Sequence, residues 1–170
     1  MVSRETVFQL LSDIPDPEIP VISISDLGIL RDVEMTKGSG LNSGADLCTV
    51  TITPTYSGCP AMKVIEDQIR EVLLANGIEQ VKVNMSYAPA WTTDWISDAA
   101  KEKLRKYGIA PPEHTSPDKG TLLGGIAKTP ACPQCRSVNT EMLSQFGSTA
   151  CKALYRCKDC KEPFDYFKCI

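Results

Sequence analysis

A chain of 170 residues with 42% hydrophobic and 23% charged residues has the makeup of a water-soluble globular protein, large enough for one medium domain or a small domain plus a module. The net charge of −3, with Lys and Arg scattered rather than blocked, argues against nucleic acid as the main partner. There is no apolar run long enough to span a bilayer, and Met1-Val2-Ser3-Arg4-Glu5-Thr6 lacks the apolar core of an export signal, so the expectation is a cytoplasmic protein without a membrane span.

Residues 3–13 read as a helix, with Val7, Leu10, Leu11 and Ile14 at helical spacing and Ser3 as N-cap. Three prolines in Pro15-Asp16-Pro17-Glu18-Ile19-Pro20 force a loop. Ile29 to Thr36 and Leu47 to Thr53 read as strands, joined by a flexible hairpin connection at 37–44. In the second strand Cys48, Val50 and Ile52 share one face. Residues 61–75 give the clearest helix: Met62, Ile65, Ile69, Val72 and Leu73 form its apolar face, and Asn76-Gly77 ends it. Val81 to Tyr87 alternates as a third strand, parallel to a neighbour through a crossover. A last helix is predicted from about Thr93 to Tyr107, closed by Gly108, with Trp95, Ile96, Ala99 and Leu104 buried. The expected fold is therefore α/β: a small helix-strand-strand-helix-strand-helix sandwich over 1–109, a linker at 110–129 rich in Pro and Gly, and a C-terminal module at 130–170.

Eight cysteines stand out, six of them after residue 130. Without an export signal, clustered pairs point to metal or redox chemistry rather than disulfides. Cys132-Pro133-Gln134-Cys135 and Cys157-Lys158-Asp159-Cys160 are two Cys-x-x-Cys pairs separated by 21 residues, the length of a β-hairpin. Each two-residue spacing aims two sulfurs at one ion, and two such turns complete a tetrahedron of thiolates suited to structural zinc. Neither pair opens a thioredoxin-like helix, so the spacing predicts an all-β zinc ribbon; iron fits the same cage. A module of this size also needs such a staple to fold. Cys151 and Cys169 read as small buried hydrophobes; the alternatives are that one of them replaces a ligand or that they form part of a second thiol site.

Cys59 stands alone, in Thr53-Pro54-Thr55-Tyr56-Ser57-Gly58-Cys59-Pro60 ahead of the long helix. A helix N-terminus stabilises a thiolate and is expected to lower its pKa, which would suit metal binding or nucleophilic attack; a buried cysteine in a helix-start turn fits the residues equally well. Asp16, Glu18 and Asp26 lie in stiff loops where carboxylates more often cap turns than do chemistry. His114 is the one histidine and falls in the linker, and there is no phosphate loop, nucleophile elbow or di-iron motif, so a catalytic residue is not assigned.

Asp16-Pro17-Glu18-Ile19-Pro20, Asp26-Leu27-Gly28-Ile29 and Gly58-Cys59-Pro60 together resemble the small domain of the iron–sulfur-assembly-associated family. Trp91-Thr92-Thr93-Asp94-Trp95-Ile96, the run Phe146 to Cys157 and the run Glu162 to Cys169 are similar to the D-type subunit family of bacterial phenylacetyl-CoA epoxidase systems, so that the resemblance covers nearly the whole chain. It implies an accessory component of phenylacetate breakdown without catalysis of its own, with the reductase and oxygenase subunits as partners. It further implies zinc in the ribbon, and a transient iron–sulfur cluster or iron handled by Cys59 with support from Asp16, Glu18 and Asp26. One cysteine supplies too few ligands, which a homodimer or a partner-shared site would complete. The other functions weighed are a non-catalytic scaffold subunit and a nucleic-acid-binding ribbon in which Tyr155, Tyr166 and Phe167 stack on bases beside Lys152, Arg156, Lys158 and Lys161.

Overall fold

The computed structural model describes residues 2–37, 46–112 and 129–168. Most of the predicted hairpin connection, most of the linker with His114, and Cys169 lie outside the described residues. Two compact units divide the chain, Met1–Trp91 and Thr92–Ile170.

The first unit runs α1 (Arg4–Ser12), β1 (Leu30–Thr36), β2 (Leu47–Ile52), α2 (Ala61–Ala75) and β3 (Gln80–Met85). Ser3 caps α1, its hydroxyl accepting from the Thr6 N–H at 3.2 Å. The sheet order is β1-β2-β3, with β1 antiparallel to β2 and β2 parallel to β3, as α2 requires by crossing between them. On β2 the period-two pattern holds: Cys48, Val50 and Ile52 are buried, while Leu47, Thr49 and Thr51 are half-buried. α1 packs on β1 and α2, and α2 on β3. Ile65, Ile69 and Leu73, spaced by four, are fully buried. Each such side chain contributes about 1.5–3 kcal/mol of hydrophobic burial. α2 ends in a Schellman motif: the Ile78 N–H reaches Leu73 O at 3.0 Å, the Gly77 N–H reaches Leu74 O at 3.0 Å, and Gly77 takes φ 81°.

The loop between α1 and β1 is a packed, hydrogen-bonded segment. Ile14, Ile19, Ile22, Ile24, Leu27 and Ile29 are all buried. The N–H of Asp16 bonds Ile22 O at 2.9 Å, that of Ile24 bonds Ile14 O at 2.9 Å, and the indole of Trp91 donates to Leu27 O at 2.7 Å. Burying this backbone requires partners for its polar groups, which these bonds supply.

The second unit contains a short 3-10 turn (Thr93–Trp95), α3 (Asp98–Lys106), β4 (Ile109–Ala110), β5 (Thr140–Ser144), β6 (Lys152–Cys157) and β7 (Pro163–Phe167). The helix expected from about Thr93 to Tyr107 is thus broken. Ile96 and Ser97 are extended, and the Ser97 hydroxyl accepts from the Ala100 N–H at 3.1 Å, so that the cap starts α3 at Asp98. The shifted start changes the buried face: Ala100, Lys101 and Leu104 are buried, Ala99 is exposed and Trp95 half-buried. Ile109 and Ala110, expected at the end of the first domain and the start of the linker, form a parallel pair with Asp165 and Tyr166 of β7. The four-stranded sheet has the order β4-β7-β6-β5. Its core is Ala110, Cys132, Ala153, Tyr155, Cys157 and Phe164, with Tyr166 against it. Tyr155 stacks on Phe164 at 5.9 Å and meets Tyr166 edge-on at 5.7 Å. Tyr155 and Phe167 are buried and Tyr166 is partly buried against the core, so packing accounts for these rings.

Candidate metal centre and the Cys59 loop

The two Cys-x-x-Cys turns have the same backbone geometry. In the first, the Cys132 N–H bonds Ser137 O at 2.9 Å; in the second, the Cys157 N–H bonds Glu162 O at 2.9 Å. The residue after the second cysteine is left-handed in both, Arg136 at φ 65° and Lys161 at φ 67°. L-residues adopt that region at a cost of about 1–2 kcal/mol, so these turns are held by what surrounds them. The antiparallel pairing of β5 with β6, Thr140 opposite Cys157, brings the turns together. Asp159 ties them: one carboxylate oxygen accepts from the Ser137 hydroxyl and the other from Asn139 Nδ2 at 2.7 Å. The Lys158 N–H adds a bond to Asn139 O at 2.8 Å.

As a result, the sulfurs of Cys132, Cys135, Cys157 and Cys160 lie within 4.8 Å of one another. Cys132 Sγ is 3.7 Å from Cys160 Sγ, and Cys135 Sγ is 3.5 Å from Cys157 Sγ. A tetrahedron with zinc–sulfur arms of about 2.3 Å has edges of about 3.8 Å. The spacing therefore fits a four-thiolate ion. Electrostatics point the same way. N–H groups of Cys160 and Asp159 draw the Cys157 thiol down to about 7. At Cys160 the Glu162 N–H also favours the thiolate, but burial and the facing sulfurs of Cys135, Cys157 and Cys132 push the thiol up to about 12. One thiolate forms readily and the last resists, unless a cation neutralises the group. All four positions of the tetrahedron are filled by protein sulfur, which leaves no place for substrate. Among the described residues this is the one such cluster of His, Cys, Asp and Glu.

Cys151 is not part of it. It is buried, with Thr149 Oγ1 at 3.1 Å from its sulfur and its carbonyl accepting from the Lys168 N–H. That is the environment of a small packed hydrophobe.

In the first unit, Cys59 precedes Pro60, the N-cap of α2, and Gly58 before it takes φ 80°. Pro60 has no side chain to cap the helix, and the Cys59 sulfur takes up the role by accepting from the Ala61 N–H. The Tyr56 hydroxyl donates to the same sulfur. Both bonds favour the thiolate, as does the helix end. Burial outweighs them and, with the negative charges of Glu18 and Asp16 nearby, pushes the Cys59 thiol above its ordinary value. The expected lowering is therefore reversed: the helix-end effect is real, but the half-buried, acidic surroundings win.

Asp16 and Asp26 are both turn caps. Asp16, buried, accepts at Oδ1 from the N–H groups of Glu18 at 2.9 Å and Ile19 at 2.8 Å. Asp26 Oδ2 accepts from the Ser23 N–H at 3.1 Å, and Ser23 Oγ accepts from the Asp26 N–H at 3.1 Å. Asp16 and Glu18 are also close enough to act on Cys59, whereas Asp26 is not among the groups that shift its thiol. Sequence reasoning missed Tyr56, although it lies three residues before Cys59 in the same loop. It also missed the Ser137, Asn139 and Asp159 tie. The basic residue that follows each Cys-x-x-Cys pair was the readable sign that the two turns are alike.

Known proteins resemble both halves of the chain. A family model described as PaaD zinc beta ribbon domain matches residues 116–168, and one described as iron-sulfur cluster assembly protein matches residues 4–85. The chain is 50% identical over 164 residues to the D-type component named "Putative 1,2-phenylacetyl-CoA epoxidase" in Escherichia coli K12, covering 96% of this chain and 92% of that protein. It is 35% identical over 104 residues to an Fe-S protein maturation auxiliary factor of Porphyromonas gingivalis, covering 60% of this chain and 90% of the relative. A crystal structure of Domain of Unknown Function DUF59 from Bacillus anthracis is 28% identical, with a TM-score of 0.48 over 59% of this chain and 90% of that one. With an iron–sulfur-assembly domain followed by a PaaD-type zinc ribbon, the chain belongs to the D-type subunit family of phenylacetyl-CoA epoxidases.

Proposed function

We propose that this chain is an accessory subunit of a phenylacetyl-CoA epoxidase system and assists maturation of the iron–sulfur cluster of its reductase or the iron of its oxygenase. The observation that carries the reading is the Cys59 loop: a thiol at the start of α2, hydrogen-bonded by Tyr56 and Ala61 and facing the negative charge of Glu18 and Asp16. Thiol, phenol and carboxylates are donors that iron accepts, and carboxylate charge that disfavours a bare thiolate favours a metal-bound one. An ion entering here displaces the thiol proton. One sulfur holds a cluster incompletely, which suits transient handling completed by a recipient or by a second copy. The family model described as iron-sulfur cluster assembly protein covers residues 4–85, this loop included, and relatives named Fe-S protein maturation auxiliary factors match 52% to 60% of the chain.

In the ribbon, Cys132, Cys135, Cys157 and Cys160 would hold zinc as a folding staple. No helix among the described residues is long and apolar enough to cross a membrane, in keeping with action in the cytoplasm beside the other subunits. The test is Cys59→Ala, co-expressed with the reductase and oxygenase. Reductase cluster content and epoxidase activity are expected to fall, with ribbon zinc unchanged at one per chain. Full cluster content and activity in the variant would refute iron handling.

A second reading, a scaffold subunit without metal transfer, draws on the same site: burial keeps the Cys59 thiol protonated at rest. Native mass spectrometry of the assembled system separates the two. A persistent, stoichiometric subunit favours the scaffold, and transient association favours maturation.

A further inference from the structure

The two Cys-x-x-Cys turns share a backbone, but one position sets them apart. The residue before the second cysteine is Gln134 in the first turn and Asp159 in the second. Gln134 is exposed. Asp159 reaches back to the first turn, to Ser137 22 residues away and Asn139 20 residues away, so its bonds are tertiary contacts and not a local turn cap.

The part of the first turn that this carboxylate holds is the part that supports a metal-facing sulfur. The Ser137 N–H donates to the Cys135 sulfur, and the Asp159 N–H donates to the Cys157 sulfur. Those two sulfurs stand 3.5 Å apart, one from each turn. The residues that donate to them are bonded directly to each other, the Ser137 hydroxyl giving its hydrogen to Asp159 Oδ2. Every polar group of Ser137 is engaged: its carbonyl accepts from the Cys132 N–H at 2.9 Å, and its hydroxyl oxygen accepts from the Asn139 N–H at 3.0 Å. Asn139 closes the ring, donating from Nδ2 to Asp159 Oδ1 at 2.7 Å and accepting at its carbonyl from the Lys158 N–H at 2.8 Å. Four thiolates around a dication carry excess negative charge, and N–H dipoles aimed at the sulfurs offset it.

We propose that Ser137, Asn139 and Asp159 form a clasp that retains zinc in the ribbon by keeping the two turns, and the N–H donors to Cys135 and Cys157, in register. Release of the ion requires sulfurs of the two turns to part, and the clasp spans that division. Its bonds to a carboxylate are of the stronger, charge-assisted kind. Partners outside the ligand set fix ligand orientation, and losing one typically costs about 10–100-fold in metal affinity. The three are positioning residues, since none of them supplies a sulfur. This inference rests on the reading of the four cysteines as a zinc site and is independent of iron handling at Cys59.

The test mixes the zinc-loaded full chain with excess chromogenic chelator and follows the rate of zinc transfer, beside hydrogen exchange at the Ser137 and Asp159 amides. Asp159→Ala and Ser137→Ala are each expected to speed transfer by about tenfold or more and to speed exchange at both amides. Asp159→Asn should stay close to the native rate. Its oxygen still accepts from Asn139 Nδ2, and its amide donates to the Ser137 hydroxyl oxygen, which also accepts. Gln134→Ala, at the matching position of the other turn, should release zinc at the native rate. Ser137→Ala removes a single oxygen and keeps the backbone bonds, so it decides the outcome if Asp159→Ala does not load with zinc. A native transfer rate in either zinc-loaded alanine variant, or an asparagine variant as fast as the alanine one, would overturn the clasp. A native chain that binds no zinc would overturn the zinc reading as well, which native rates in a loaded variant leave standing.

Discussion

The chain holds two kinds of cysteine site, and they differ in how completely the protein satisfies them. In the ribbon, four sulfurs converge within 4.8 Å on two turns of matching geometry, locked together by Asp159. At the Cys59 loop, one sulfur is offered beside two carboxylates, one of which, Asp16, already caps a turn. A closed four-thiolate cage serves a fold, because nothing can enter it without displacing a ligand. An incomplete donor set cannot serve as a staple. On the proposed reading, the contrast separates a site built to keep a metal from one built to pass it on.

Removing the ribbon ligands puts that contrast to its hardest test. Cys157→Ser, or treatment with a strong chelator, is expected to abolish the dispersed amide signals of residues 129–168, because the small ribbon core cannot fold alone. The helices of the first unit should keep their circular dichroism. A ribbon spectrum unchanged after metal is stripped, as verified by elemental analysis, would make the cage dispensable. The mirror experiment is Ile69→Ala. This fully buried side chain on α2 leaves a cavity costing about 2–5 kcal/mol. Denaturant unfolding should show that loss in the first unit, with zinc retained in the second.

A finer probe is to separate cap from charge at Asp16. Asp16→Ala removes the acceptor for the Glu18 and Ile19 N–H groups and should cost about 1 kcal/mol or more. Asp16→Asn keeps the acceptor and removes the charge near Cys59. If the carboxylate supports iron, the asparagine variant loses iron uptake at near-native stability; equal uptake in both proteins leaves Asp16 as a cap only. The smallest expected effect is electrostatic. Arg4 Nη2 sits 2.5 Å from Asp32 and, with the Val33 N–H, holds that carboxyl below its ordinary value of about 4. A depressed carboxylate contributes stability above the unfolded-state pKa and loses it as pH falls through the folded one. Asp32→Asn should therefore flatten the acid limb of the first unit's stability profile slightly, since both groups are exposed. An unaltered limb would show that the pair is silent.

Features that depend on near neighbours along the chain were legible in the sequence. The bounds of α2 follow from apolar spacing and the Asn76-Gly77 stop, the alternation of β2 from the pleat, and the pairing of sulfurs in each turn from the two-residue spacing. Other features were beyond local pattern. α3 starts at Asp98 because Ser97 caps it, and a helical period running through Trp95 and Ile96 hides that competition. The direction of the Cys59 shift depends on burial and on Glu18 and Asp16, some forty residues away in sequence. The sequence reads a hairpin between the two Cys-x-x-Cys pairs, and only the sheet order places β5 outermost among the described strands. Spacing decides which residues share a turn or a face; the folded chain alone decides what that face meets, because desolvation and charge act through space.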